Sequence, residues 1–366
     1  MSAPLFPPGR MLFDGDEIRV RATDHGGDLL VITFTHRMSA EPTEGFAEGA
    51  LNRLKISNVV FISRRPHWWQ VDDMARAVAA VCADPMFARA GRRILYGSSM
   101  GGHAALHASH ALRADHIVLI SPQARMKPDA APFEGRWRED VAAIPDFERE
   151  DLDGGLSRTA RVTLFYDPAM PEDAAHADLV RAIRPVDIVP TRFMGHLALA
   201  CLRDGGRLGD LLRAIVADED ASVLRHLVRQ ARERSLVYLK AAASASLSRG
   251  RATDAGRVIQ RALALIAEGL PGHRQQVAKV LNLAGRWRLD VGDPEGALAY
   301  HHQARKRAMR TAESYRGLRD FHARQGDLDL ALTYAEKTAS APRAKPLDAG
   351  RVKAIRRLIR QRTSAE

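Results

Sequence analysis

Cysteine is almost missing from this 366-residue chain, which has only Cys82 and Cys201. A disulfide framework is excluded, and so is a zinc site made of several thiolates. No uninterrupted apolar run reaches about 18 residues, so no membrane span is expected. The opening MSAPLFPPGR lacks the basic start and the apolar stretch of a signal peptide, and a cytoplasmic location is the simplest expectation. Aromatic residues amount to 6%, and none is interleaved with the basic runs in the way a single-strand nucleic-acid platform requires. The chain does have 46% hydrophobic and 27% charged residues, the balance of a globular protein, at a length that suits two domains.

Charge separates those two parts. From Ala221 onward there are 29 Lys and Arg against 13 Asp and Glu, a net +16, while the residues before it carry −5. The basic part is Arg-rich, as in Arg305-Lys306-Arg307 and Arg356-Arg357. Such a surface attracts an acidic protein, nucleic acid or anionic lipid; the plainer reading is a solvated helix face. The expected units are residues 1–218 and 219–366.

The front part alternates strand and helix signals. Met11–Phe13 and Glu17–Ala22 flank the turn pair Asp14-Gly15 and read as a hairpin. Leu29–Phe34, Val59–Ile62, Arg93–Tyr96, Ile117–Ile120, Arg161–Tyr166 and Val186–Val189 are short, nearly continuous apolar runs, as expected of strands buried on both faces. Helical patterns at Val71–Cys82, Met100–Leu112 and Ala174–Ile183 lie between them. The alternation predicts an α/β fold with a mostly parallel sheet covered on both faces. Pro122–Ala160, with several prolines and mixed charge, reads as an insertion or lid.

Gly97-Ser98-Ser99-Met100-Gly101 joins a predicted strand to a predicted helix and has the form G-x-S-x-G. A serine on so tight a turn needs small residues two before and two after it. Its oxygen then projects above the strand end, and the next backbone N–H, that of Met100, faces a developing oxyanion. A serine hydroxyl also needs a base, and in chain order that base comes last. Gly195-His196, in the loop beyond Val186–Val189, meets the requirement. The acid that orients the imidazole should follow Arg161–Tyr166, where Asp167 and Asp173 both qualify. Asp167 leaves the strand end directly and is slightly favoured; Asp173 opens the next helix and could be a cap instead.

These residues resemble the α/β-hydrolase superfamily over roughly residues 10–217. The segments Asn58–Ile62, His67-Trp68-Trp69 and Tyr96–Gly102 are also similar to a bacterial subgroup, some of whose members are tied to surface-polysaccharide modification. The resemblance implies ester or acyl-transfer chemistry with no cofactor and no metal. The chain departs from the common His-Gly pattern after the early strand, having Thr35-His36-Arg37 there. The backbone of Thr35 or His36 is therefore the expected second oxyanion donor.

Other features carry two readings each. Trp68-Trp69 either sits on the catalytic rim and stacks on a sugar or acyl group, or anchors its loop to the core. His103, His107 and His110 share a helical face at metal-ligand spacing, but no acidic residue completes a site, so ordinary packed histidines are expected. Cys82 and Cys201 read as packing residues.

The back part repeats. Gly250, Gly292 and Gly326 each precede an alanine by five residues (Ala255, Ala297 and Ala331), and the last two glycines are 34 apart. Ala262 and Ala304 lie seven beyond the first two alanines; Leu281, Gly285, Tyr315 and Leu318 hold matching first-helix positions. This pattern resembles tetratricopeptide repeats over about 236–340, with an insertion near Leu270-Pro271-Gly272. It implies an all-α helical array, binding an acidic protein or peptide more readily than nucleic acid. The combined expectation is a serine hydrolase or acyltransferase acting on a small-molecule or glycan ester, joined to that array. The rival is a hydrolase-like scaffold with a silent serine and a bound acidic partner.

Overall fold

The computed structural model describes residues 9–270, 274–342 and 344–364. The chain condenses into two compact units. One holds the described residues up to Ala200 together with Arg207–Arg229; the other holds Cys201–Gly206 and the described residues from Gln230 onward.

The first unit is built on an eight-stranded sheet: β1 (Arg10–Asp14), β2 (Ile18–Thr23), β3 (Leu29–Phe34), β4 (Ser57–Ser63), β5 (Arg92–Ser98), β6 (His116–Ile120), β7 (Arg161–Tyr166) and β8 (Asp187–Pro190). Their order across the sheet is β1-β2-β4-β3-β5-β6-β7-β8. The expected hairpin is present, β1 pairing antiparallel with β2 and β2 with β4. All pairings from β4–β3 onward are parallel. Every residue of β4 and β6 is buried, the consequence of helices on both faces. The strand order with its antiparallel edge and crossed β3/β4 pair is that of an α/β-hydrolase sheet.

The core beneath the site is apolar and closely filled. Phe34 and Phe61 meet at 4.7 Å, and Trp69 stands edge-on to Phe34 at 5.6 Å. The segment between β6 and β7 carries only two short helices, Arg138–Ala142 and Leu152–Gly155. Val141, Ile144, Leu152 and Leu156 tie it to the main core. The helix expected over Met100–Leu112 ends earlier, at His107.

The second unit is all helical among its described residues. Leu236–Ser248, Ala252–Ala267, Arg274–Asp290, Pro294–Arg307, Ala312–Arg324, Leu328–Ala339 and Pro346–Thr363 follow one another as packed neighbours. Gly250, Gly292 and Gly326 stand at the turns with φ of 72°, 85° and 81°, a region costly for any side chain. Ala255, Ala297 and Ala331 are wholly buried where each following helix packs. The insertion expected near Leu270-Pro271-Gly272 falls largely outside the described residues.

Candidate active site

Ser99 follows β5 directly and opens the helix Met100–His107 with φ 53° and ψ −120°, a strained backbone for a serine. The two glycines explain how the turn closes. A Cβ on Gly97 would meet the Gly101 carbonyl oxygen at 2.2 Å, and one on Gly101 would meet that of Phe34 at 2.3 Å. Substituting either glycine would force the backbone apart. The turn is also tied down by hydrogen bonds from Ser99 N–H to Ile120 O (3.0 Å) and from His103 N–H to Ser99 O (3.1 Å).

The Ser99 hydroxyl oxygen lies 2.8 Å from Nε2 of His196. On the other side of the ring, Nδ1 of His196 is 2.9 and 3.2 Å from the two oxygens of Asp173. Asp173 is wholly buried in the first turn of the helix Pro171–Arg181. Burial alone would raise its carboxyl, but the hydrogen bond and charge of His196 and the charge of Arg136 outweigh that and hold it below the ordinary value.

The slight preference for Asp167 is not met by the geometry. Its carboxylate turns back to accept Ala169 N–H at 3.0 Å and Gly195 N–H at 2.9 Å. It is the nearer residue to the strand end, and for that reason it is consumed by the turn it leaves. Asp167 braces the backbone of the histidine loop, and Asp173 faces the imidazole.

Two groups from the segment between β6 and β7 join this cluster. Arg136 Nη1 donates to Asp173 Oδ1 at 2.7 Å and lies 3.3 Å from His196 Nδ1. Its Nε and Nη2 grip the buried Glu134. His176, one helical turn beyond Asp173, reaches the same carboxylate at 3.1 Å. Burial would raise Glu134, yet the bonds from His176 and Arg136 lower it to about 2. Neither Glu134 nor Arg136 bears a motif; only their place in a proline-rich insertion between two strands marks them.

Thr35 N–H is committed to Phe61 O at 3.1 Å, which removes it as an oxyanion donor. The side chain of Thr35 accepts Ser63 N–H at 2.9 Å. Next along the chain, His36 sits edge-on to Phe46, and burial lowers its imidazole. Met100 is the first residue of its helix, so its N–H has no acceptor four residues back along the helix.

Trp68 and Trp69 are not on the rim; they are 0% and 2% exposed. Both have left-handed backbones, with φ of 44° and 63°, and His67 Nδ1 accepts the Trp69 N–H. Trp69 Nε1 donates to Met100 O at 3.0 Å, and Trp68 Nε1 to Gln123 Oε1 at 2.9 Å. That same Gln123 oxygen is 3.2 Å from the Ser99 hydroxyl. The indoles thus brace the Ser99 turn from behind. Trp137 adjoins both Trp68 and His196, its ring being 6.3 Å from the one and 5.9 Å from the other.

His103, His107 and His110 do not converge on a point. His103 lies within hydrogen-bond reach of Gln123 O and Gln70, His107 reaches Ala124 O, and His110 is exposed. Among the described residues no group of three His, Cys, Asp or Glu could hold a metal ion.

The helical unit has its own concave feature, a hollow of about 800 Å³. Lys240, Lys279, Lys345 and Arg351 line it. Its acidic residues are engaged: Glu313 by Arg316 and Asn282, Asp320 by Arg319, Asp290 by Arg324. Burial, then the charge of Lys279, lowers Lys240.

No family model matches the chain, and no curated protein matches it. Solved structures do. The capsule O-acetyltransferase of Neisseria meningitidis serogroup A is 13% identical, covers 56% of this chain and 93% of its own, and has a TM-score of 0.42. An esterase from Pyrococcus furiosus is 14% identical over 47% and 76% of the two chains, with a TM-score of 0.33. A peroxisomal alpha-beta-hydrolase from Saccharomyces cerevisiae is 12% identical over 62% and 86%, with a TM-score of 0.30. Among the described residues, no helix is long and apolar enough to cross a membrane.

Proposed function

We propose that the first unit is a serine-dependent enzyme that cleaves an ester and handles its acyl group. One observation carries the reading: the unbroken run of hydrogen bonds from Ser99 through His196 to Asp173. In this mechanism Nε2 of His196 takes the hydroxyl proton as Ser99 Oγ attacks the carbonyl carbon. Asp173 fixes the ring with Nδ1–H toward itself and stabilises the imidazolium. The tetrahedral oxyanion is held by the Met100 N–H and the peptide N–H of His36, the donor left once Thr35 is committed to the sheet. As the intermediate collapses, the C–O bond to the alcohol breaks and His196 returns its proton to the leaving oxygen. A water or an acceptor hydroxyl, deprotonated by His196, then releases the acyl group from Ser99.

Transfer to a glycan hydroxyl is the finer form of this reading, supported by the resemblance of the segments around Trp68 and Ser99 to the polysaccharide-modifying subgroup. A rise in the decay rate of the acyl-enzyme on adding sugar acceptors distinguishes transfer from hydrolysis. We read the second unit as a tetratricopeptide-like array that binds an acidic peptide, on the strength of its glycine and alanine spacing and its lysine-lined hollow.

The test is covalent labelling with a fluorophosphonate. The native protein and Ser98→Ala should be labelled, and Ser99→Ala should not; ester turnover should fall at least about 10³-fold in Ser99→Ala. A native protein that resists the label would favour the silent-scaffold reading instead.

A further inference from the structure

Among the described residues, Arg136 is the one charged group that touches both the carboxylate and the imidazole of this cluster. Its Nη1 shares Asp173 Oδ1 with the His196 ring, and its other face is held by Glu134. A cation here takes back part of the negative field that Asp173 applies to the imidazole. The buried Glu134 returns some of it, and His176 fixes Glu134. The order is thus alternating: His176, Glu134 (−), Arg136 (+), Asp173 (−), His196.

From this we propose that Arg136 is a positioning residue that sets the charge balance at His196, with Glu134 as its counterweight. The proposal rests on the reading of Ser99 as nucleophile and His196 as base. It goes beyond that reading by giving the segment between β6 and β7 a part in the chemistry. Arg136 lies on that segment, whereas Asp173 and His196 follow β7 and β8. Displacing the segment removes the cation from the acid and leaves the imidazole facing Asp173 alone. The position of the segment and the protonation of the base are therefore coupled.

The other charged groups around the ring are accounted for. Asp167, across the histidine loop, is hydrogen-bonded to Ala169 and Gly195. Arg37 lies over the Trp137 ring at 5.3 Å and is paired with Asp140 at 2.7 Å. Arg192, on the loop itself, is exposed. None of these touches the ring, so Arg136 and Glu134 are the variables.

The experiment follows kcat/KM for an activated ester against pH in the full-length protein, reading the midpoint of the acid limb. Arg136→Met removes a cation, so that midpoint should move up by about one pH unit. Glu134→Gln leaves the cation unopposed and should move it down. Arg136→Lys keeps the charge without the fork, and its midpoint should lie nearer the native one than that of Arg136→Met. A purely structural role would lower kcat without moving the limb in opposite directions. Unmoved midpoints, or the same direction for Arg136→Met and Glu134→Gln, would overturn the proposal. The ring titration of His196 followed by NMR in Ser99→Ala, Ser99→Ala/Arg136→Met and Ser99→Ala/Glu134→Gln proteins reads the same balance without turnover. A native protein that takes no fluorophosphonate sinks the serine reading, and the ring titration alone then decides the role of Arg136. The Glu134 and Lys variants keep the test open if Arg136→Met does not fold.

Discussion

The Asp167 carboxylate accepts the backbone N–H of Gly195 at 2.9 Å, one residue before the histidine. Two acids therefore serve one imidazole in different ways. Asp173 meets the ring itself, and Asp167 holds the loop that carries it. Gly195 has a φ of 55°, so the bend at this point is of a kind that glycine tolerates and Asp167 then pins.

Asparagine at each position should separate the two roles. Asp173→Asn removes the charge and presents an N–H to a ring that needs an acceptor, so kcat should fall about 10³–10⁴-fold. Asp167→Asn keeps an oxygen for one of its two N–H donors and leaves the other unpaired. It should cost about 1–3 kcal/mol of stability and less than about tenfold in kcat. Steady-state kinetics and denaturant unfolding of both variants provide the check. A larger kinetic loss in Asp167→Asn would reverse the assignment.

Acid should destabilise the first unit before its carboxylates protonate. Burial lowers His103 to about 4 and His107 to about 3, from an ordinary value near 6.5. Both are neutral when folded, and unfolding lets them take up protons below pH 6.5. Their contribution is intact above pH 6.5 and is lost as pH falls toward 4 and 3, each by at most about 1.4 kcal/mol per pH unit. Glu134, lowered to about 2, loses its contribution only below its unfolded value near 4.5. Between pH 6.5 and 5 the slope therefore belongs mainly to buried histidines, His67 and His116 included, both lowered to about 4. His107→Gln retains a donor for Ala124 O and should flatten that slope by the share of one proton. Urea titrations at a series of pH values measure it; an unchanged slope would show that His107 is not held neutral.

The sheet was legible in the sequence because its central strands are buried on both faces and leave apolar runs that need no partner to be recognised. The tight turn at Ser99 was legible for a different reason: the approach of Gly97 to Gly101, and of Gly101 to Phe34, excludes side chains, and that exclusion is written as two glycines. The choice between Asp167 and Asp173 was not legible. It depends on which carboxylate the turn after β7 consumes, and both lie within the same seven residues. The tryptophans read equally well as rim or core, since an indole that donates inward to Gln123 or Met100 leaves the same letters as one that stacks on a sugar. Arg136 and Glu134 were hidden altogether. Their partners are 37 and 42 residues distant along the chain, and only the folded insertion brings them to Asp173 and His176.

The hollow of the helical unit leads to the last prediction. Lys240 and Lys279 stand on the first helices of two successive packed pairs, Leu236–Ser248 and Arg274–Asp290, and neighbouring helix axes in such packing are about 8–10 Å apart. A peptide in the polyproline II conformation advances about 3.1 Å per residue with about three residues per turn, so acidic side chains every third residue share one face and match that interval. Lysine ammonium groups act as point charges and accept carboxylates without a fixed bidentate geometry. A fluorescein-labelled peptide with glutamate at every third position should therefore bind the full-length protein, and binding should weaken with added salt. Lys240→Glu and Lys279→Glu place like charges against the ligand and should each weaken it by about tenfold or more. Reversing an exposed basic residue on the last helix, as in Arg357→Glu, should change it much less. Fluorescence anisotropy supplies the affinities, with a duplex and a single-stranded oligonucleotide as competitors. Sub-micromolar binding of either oligonucleotide, lost in Lys240→Glu, would assign the hollow to nucleic acid, and equal effects of Arg357→Glu and Lys240→Glu would reduce the attraction to net charge alone.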